Sequence, residues 1–181
     1  MIGISQKPID MKFFLLFIPV AFASYLFHEL GHWSVGEILG NRMAYSLNYV
    51  WAKDGHFVHA SDQLYSSIGG PAFSILQSAF ALLVIEKYKP LYAYPFAFFP
   101  TYSRFFSLCL GGFSKQDEAW ISASLGIGTY TVATIVLVIL LSIVLWCSFR
   151  LKVGIKDNSY VLVASTVCQL LVIGTYKWML S

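Results

Sequence analysis

Charge is what this chain has least of. Only 12% of its 181 residues are Asp, Glu, Lys or Arg, about half of the quarter or so usual in a soluble domain. That shortage, with 57% hydrophobic residues and a mean hydropathy of +0.67, excludes an ordinary water-soluble fold. The formal charge of +3 is spread thinly, so no basic stripe marks a nucleic-acid surface, and none is expected as a partner. Cysteine is sparse too. Cys109, Cys147 and Cys168 lie apart in apolar segments with no C-x-x-C pair, which excludes a disulfide framework or thiolate cluster and leaves small buried hydrophobes. There is no internal repeat or low-complexity tract, and a single domain is expected.

Long apolar runs are what the chain has instead. Five segments approach the 20 or so residues a helix needs to cross hydrocarbon: 13–39, 66–85, 91–113, 120–149 and 160–180. The expectation is an all-α, multi-pass membrane bundle embedded in a lipid bilayer, and an aromatic content of 17% suits helices anchored at interfaces. Lys7 and Lys12 before an apolar core, with Ala21-Phe22-Ala23, have the look of a cleavable leader. Apolar character continues through Tyr25, Leu26 and Phe27, which favours a retained span. With a cytoplasmic amino terminus, that side receives Lys7, Lys12, Lys87, Lys89, Arg150, Lys152 and Lys156, against Arg42, Lys53, Lys115 and Lys177 opposite. The excess predicts that orientation.

Between the first two spans, Met43, Tyr45, Leu47, Tyr49 and Trp51 alternate with smaller or polar residues, a strand period. Asp54-Gly55 then predicts a two-residue hairpin turn leading into His56-Phe57-Val58. His56 and His59 are three apart, so in a strand they point to opposite faces and read as exposed loop residues. Asp62 reads as a solvated loop residue as well.

Within the first span sits His28-Glu29-Leu30-Gly31-His32. On a helix, H-E-x-x-H puts two imidazoles on one face, where both can reach one zinc ion, with the glutamate beside them as general base. Three ionisable groups in a membrane helix point to a functional site. A catalytic zinc takes three protein ligands, and the candidates for the third are Asp117 and its neighbour Glu118, at the mouth of the fourth span. Alternating threading brings them to the side of the membrane that carries the motif, along with Gly69-Gly70-Pro71. That triplet reads equally as a structural helix entry, with Pro71 tolerated in a first turn, or as part of the site's lining. Gln77 reads as an interhelical hydrogen-bonding group. Arg104, inside the third span, needs a carboxylate or substrate as partner.

In these residues the chain resembles the site-2 protease family of intramembrane zinc metalloproteases. The likeness rests on His28-Glu29-Leu30-Gly31-His32 in a membrane helix, a Gly-Pro-containing second span and a later acidic residue. It implies hydrolysis of a membrane-embedded or juxtamembrane peptide bond with one Zn2+, His28, His32 and Asp117 as ligands and Glu29 as general base. Gln116-Asp117-Glu118-Ala119 differs from the family's usual Asp-Gly pair preceded by Asn and Pro. On this reading the hairpin would hold an unwound substrate peptide, with Asn48 and Arg104 as substrate-binding residues. The competing expectations are a zinc-binding transporter or metal-handling protein, which has no need of Glu29, a non-catalytic protease-like regulator, and a zinc hydrolase acting on lipid or a prenylated peptide.

Overall fold

The structure, a computed structural model, describes residues 9–110 and 116–179. Lys7, Phe113, Lys115 and Leu180, used above to place charges and span ends, lie outside the described residues. Helix α1 (Met11–Ile38) leads into a two-stranded sheet, β1 (Met43–Tyr45) and β2 (Val50–Ala52). Helix α2 (Asp62–Tyr88) follows, then a 3₁₀ turn (Leu91–Ala93), α3 (Tyr94–Cys109), α4 (Asp117–Leu125), α5 (Thr131–Leu151) and α6 (Ile155–Met179). The architecture is the expected all-α bundle with a small hairpin.

Four of these helices, α1, α2, α5 and α6, are long and apolar enough to cross a membrane. The five predicted spans need two corrections. Over its described residues the third is a 3₁₀ turn and a helix of 16 residues, the helix itself about 24 Å at 1.5 Å per residue against a hydrocarbon core of about 30 Å. Pro95 sits in its first turn and Pro100 within it. The fourth is two helices. Gly126 takes a left-handed conformation (φ 66°) and its N–H caps Ala123 and Ser122, ending α4; Gly128 also has positive φ (91°) before α5 begins. The Ser122 hydroxyl accepts from Val132 N–H (3.1 Å), tying α4 to the start of α5.

Helix α1 starts where Asp10 accepts from Phe13 N–H (2.8 Å), satisfying one of the free donors of a first turn. Its amino-terminal half carries the apolar core. Phe13, Phe17, Val20 and Ala21 pack with Ala81 and Ile85 of α2, Tyr94 and Phe99 of α3, Val144 of α5 and Val161 and Val172 of α6. Leu76, Phe80 and Leu83 on α2, Leu145 and Phe149 on α5, and Val163 and Val167 on α6 instead face outward. Apolar surface of that extent is what hydrocarbon covers.

The carboxyl-terminal half of α1 packs antiparallel on α2 through small residues. Ser24, His28, His32 and Gly36 recur every four residues on α1 and are buried; Ser66, Gly70, Ser74 and Ser78 do so on α2. At the crossing, Gly31 and Gly69 lie so close that a Cβ on either would collide with the other's carbonyl. Close backbone approach of this kind is how membrane helices gain packing without a hydrophobic drive. Gly69-Gly70-Pro71 is therefore not a helix entry, because α2 begins at Asp62, two turns earlier.

The hairpin turn also falls elsewhere than predicted. Met43 pairs with Ala52 and Tyr45 with Val50, and Ser46 N–H reaches Tyr49 O (2.8 Å), so the chain reverses over Leu47-Asn48. Asp54-Gly55 follows the second strand. Met43 is buried against Gly36; its N–H donates to Glu37 (2.8 Å) and its carbonyl accepts from Trp33 (3.3 Å). Asp62 is buried rather than solvated, accepting from Asn41 Nδ2 (3.0 Å) and His59 N–H (3.1 Å). His56 and His59 are exposed. Cys147 and Cys168 are buried as expected, but Cys109 is exposed.

The crossing can be tested with two alanines. Gly69→Ala should destabilise the protein by about 1–3 kcal/mol, the usual cost of overpacking, seen as a lower Tm in detergent micelles. Gly174→Ala, with open space around the added carbon, should leave Tm unchanged or raised. Equal Tm values for Gly69→Ala and wild type would show that the helices do not meet backbone to backbone.

Candidate metal centre

His28 and His32 lie about 15 and 9 Å from the end of α1, at 1.5 Å per residue, and both are buried. Their rings stand edge to face. Gly70 of α2 makes room for them, since a Cβ there would strike both rings. The two Nε2 atoms are 3.2 Å apart, and Asp117 Oδ2 lies 3.1 Å from that of His28 and 3.3 Å from that of His32. The fourth predicted span thus delivers Asp117 from the first turn of α4.

The other ring nitrogens are fixed from α2. His32 Nδ1 lies 2.8 Å from the Ser66 carbonyl oxygen. A carbonyl can only accept, so Nδ1 carries the proton and a neutral ring turns its Nε2 lone pair inward. The Ser66 hydroxyl donates in return to the His32 carbonyl (2.9 Å). His28 Nδ1 meets Ser74 Oγ at 3.0 Å, a hydroxyl able to accept from a protonated Nδ1 in the same way. Holding the outer nitrogen in this way orients a metal-ligating histidine.

With both rings in that tautomer, three acceptors face one another across 3.1–3.3 Å. One proton would relieve one of those contacts and leave a lone pair against the carboxylate. Two protons would place two cationic rings in contact. A divalent cation satisfies all three atoms at once, and the spacings suit it: zinc bonds of about 2.0–2.1 Å at tetrahedral angles separate ligand atoms by about 3.3 Å. His28, His32 and Asp117 are accordingly a group that could hold a metal ion.

Glu118 does not compete for that position. It is buried and its carboxylate takes Arg104 Nη1 at 3.2 and 3.4 Å, which satisfies the carboxylate partner expected for Arg104. Glu29 is buried beside the triad, within the fields of His32, Asp117 and Arg104, and makes no hydrogen bond or ion pair among the described residues. Gln77 bridges helices as expected, donating to Ser24 (2.8 Å) and the Phe96 carbonyl (3.1 Å). Asn48 is exposed at the hairpin turn, with no hydrogen bond to the triad. Sequence reasoning overlooked Ser66 and Ser74. The signal was present as small residues every four positions at 66, 70, 74 and 78, matching the period of the facing histidines.

No protein-family model, curated protein or solved structure matches this chain.

Metal content gives the test. Purified protein should hold about one equivalent of zinc by elemental analysis. His28→Ala and Asp117→Asn should lose it, whereas Glu118→Gln should retain it. Ser74→Ala should weaken binding by about 10–100-fold in a chelator competition, as expected for loss of an orienting partner. Wild-type zinc content in Asp117→Asn would remove Asp117 from the ligand set.

Proposed function

We propose that this chain is an intramembrane zinc metalloprotease that hydrolyses peptide bonds of membrane-embedded or juxtamembrane segments, in the manner of the site-2 protease family. The observation that carries this reading is the convergence of His28, His32 and Asp117 inside an apolar bundle, with the Glu29 carboxylate beside them and unpaired among the described residues. Bound there, zinc would supply a Lewis acid and lower the pKa of water toward about 7 from 15.7 in bulk.

The chain's own residues do the rest. Glu29 accepts a proton from water and later passes it to the leaving amine, the work of a general base turned acid. Neither Ser66 nor Ser74 need move, since each keeps a ring nitrogen away from the reaction. Glu29 also favours this reading over metal transport or storage, because binding alone uses the imidazoles and Asp117 and leaves a buried carboxylate without a task.

A helical substrate hides its peptide bonds in its own hydrogen bonds, so it must unwind to be cut. The hairpin is suited to hold an unwound stretch by strand addition. The outward N–H and C=O of Met43 on β1 are occupied by Glu37 and Trp33, whereas on β2 only the Ala52 carbonyl is taken among the described residues, by Gly55 N–H (3.1 Å), so β2 keeps the more open edge for a peptide. Tyr45, Tyr49 and Trp51 are exposed on the hairpin, with the last two rings stacked, as suits residues at a membrane interface. The cytoplasmic amino terminus remains part of the proposal. Lys12, Lys87, Lys89, Arg150, Lys152 and Lys156 fall at the end of the bundle away from the triad, and Arg42, Lys53 and Lys177 at the other.

Glu29→Gln separates catalysis from metal handling. The variant should keep its zinc and cleave single-span peptides in proteoliposomes about 10²–10⁴-fold more slowly, the range for loss of a general base, with products followed by mass spectrometry. Undiminished cleavage would discard Glu29 as the base.

A further inference from the structure

Arg104 is held in a way that salt bridging alone does not explain. Its side chain is 12% exposed, deep for a guanidinium in a membrane bundle, and Glu118 supplies the countercharge. Arg–carboxylate pairs frequently use the guanidinium fork, two parallel N–H donors on two oxygens. Here Nη1 alone meets both Glu118 oxygens and also lies 4.0 Å from Asp117 Oδ2. The remaining N–H groups, on Nη2 and Nε, have no partner among the described residues.

Arg104 and His28 share a wall of one narrow cavity, which Tyr25, Ser103, Phe99 and Pro100 help to enclose. Tyr25 closes the cavity beside them. Its hydroxyl is already engaged by Gln169 Nε2 (2.5 Å) and by Ser103, so it braces the wall. The cavity, which Ser24 and Ser74 also line, therefore sets the N–H donors of a permanent cation next to His28 of the triad. That is the arrangement required where negative charge develops on a substrate oxygen.

Building on the protease reading, we propose that Arg104 is a further catalytic residue, whose unpaired guanidinium N–H groups bind the scissile carbonyl oxygen as it becomes an oxyanion. Water adds to the carbonyl carbon, the C=O π pair moves onto oxygen beside Arg104, and Glu29 holds the proton released. When the C–N bond breaks, the pair returns to form the carbonyl and that proton goes to the amine. Glu118 anchors the guanidinium by one nitrogen and leaves the others for substrate.

The test compares Glu118→Gln with the double variant Arg104→Gln/Glu118→Gln, which differ only at Arg104 and leave no buried carboxylate without its cation. Both are loaded with Co2+ in detergent and titrated with inorganic phosphate, a tetrahedral oxyanion, while the visible absorption of the metal is followed. Without phosphate the two spectra should coincide. With it, the double variant should bind at least about tenfold more weakly, and its kcat on single-span peptides should fall about 100-fold or more with little change in KM, as for loss of an oxyanion donor. Equal phosphate affinity and equal kcat would overturn the proposal. Arg104→Lys keeps the charge and serves if the double variant does not fold: it should retain the cobalt spectrum and lose kcat, and an unchanged kcat would overturn the proposal as well. Failure of the wild-type protein to bind Co2+ or to cleave any peptide is a different result, which rejects the protease reading itself.

Discussion

Mutual repulsion among three acceptors is the constraint around which this molecule is arranged. Two imidazole nitrogens, both buried, and an oxygen of the partly exposed Asp117 stand 3.1–3.3 Å apart, and a shared proton or cation is what lets them rest there. In a low dielectric such contacts are far stronger than in water, in attraction and repulsion alike. The surrounding groups hold the acceptors where they are. Ser66 and Ser74 fix the outer ring nitrogens, Gly70 gives the rings room, and the Arg104–Glu118 pair occupies the carboxylate that would otherwise crowd the same space.

Packing makes that geometry possible. Histidines on α1 could not reach the main chain of α2 if ordinary side chains lay between the helices, and the Gly31–Gly69 contact removes that obstacle. Pro71 contributes in the same region. Proline has no N–H to give the carbonyl four residues back, and such a break in the helical ladder is tolerated in a bundle where neighbouring groups satisfy what is freed. The polar half of α1 thus meets the small-residue half of α2, while the apolar half builds the core with α3, α5 and α6. One helix pair carries both the close packing and the two imidazoles of the triad.

Much of this was legible in the residues. Composition gave the membrane class, and the apolar runs at 13–39, 66–85 and 160–180 found α1, α2 and α6 with ends off by a few residues. H-E-x-x-H spacing placed the imidazoles on one face because a helix turns 3.6 residues at a time. The breaks were harder to see. Residues 120–149 are apolar almost throughout, and nothing in hydropathy separates a continuous span from two helices joined through left-handed glycines at 126 and 128. Asp54-Gly55 has the stronger turn chemistry, yet the chain reverses at Leu47-Asn48, because burying Met43 against Gly36 sets the register of the first strand. Asp62 looked solvated from its polar neighbours, but Asn41 reaches it across 21 positions.

Local periodicity and composition by themselves determined that this chain forms apolar helices, that two imidazoles share a face, and that a carboxylate stands next to the first of them. Each of those properties repeats within a turn or two of helix, so adjacent residues suffice to specify it. The choice between Asp117 and Glu118, and the outer ring nitrogens that Ser66 and Ser74 hold, belonged to the tertiary structure. Neighbouring carboxylates on one helix differ by about 100° in direction, and only the positions of α1 and α3 decide which of them meets an imidazole and which a guanidinium.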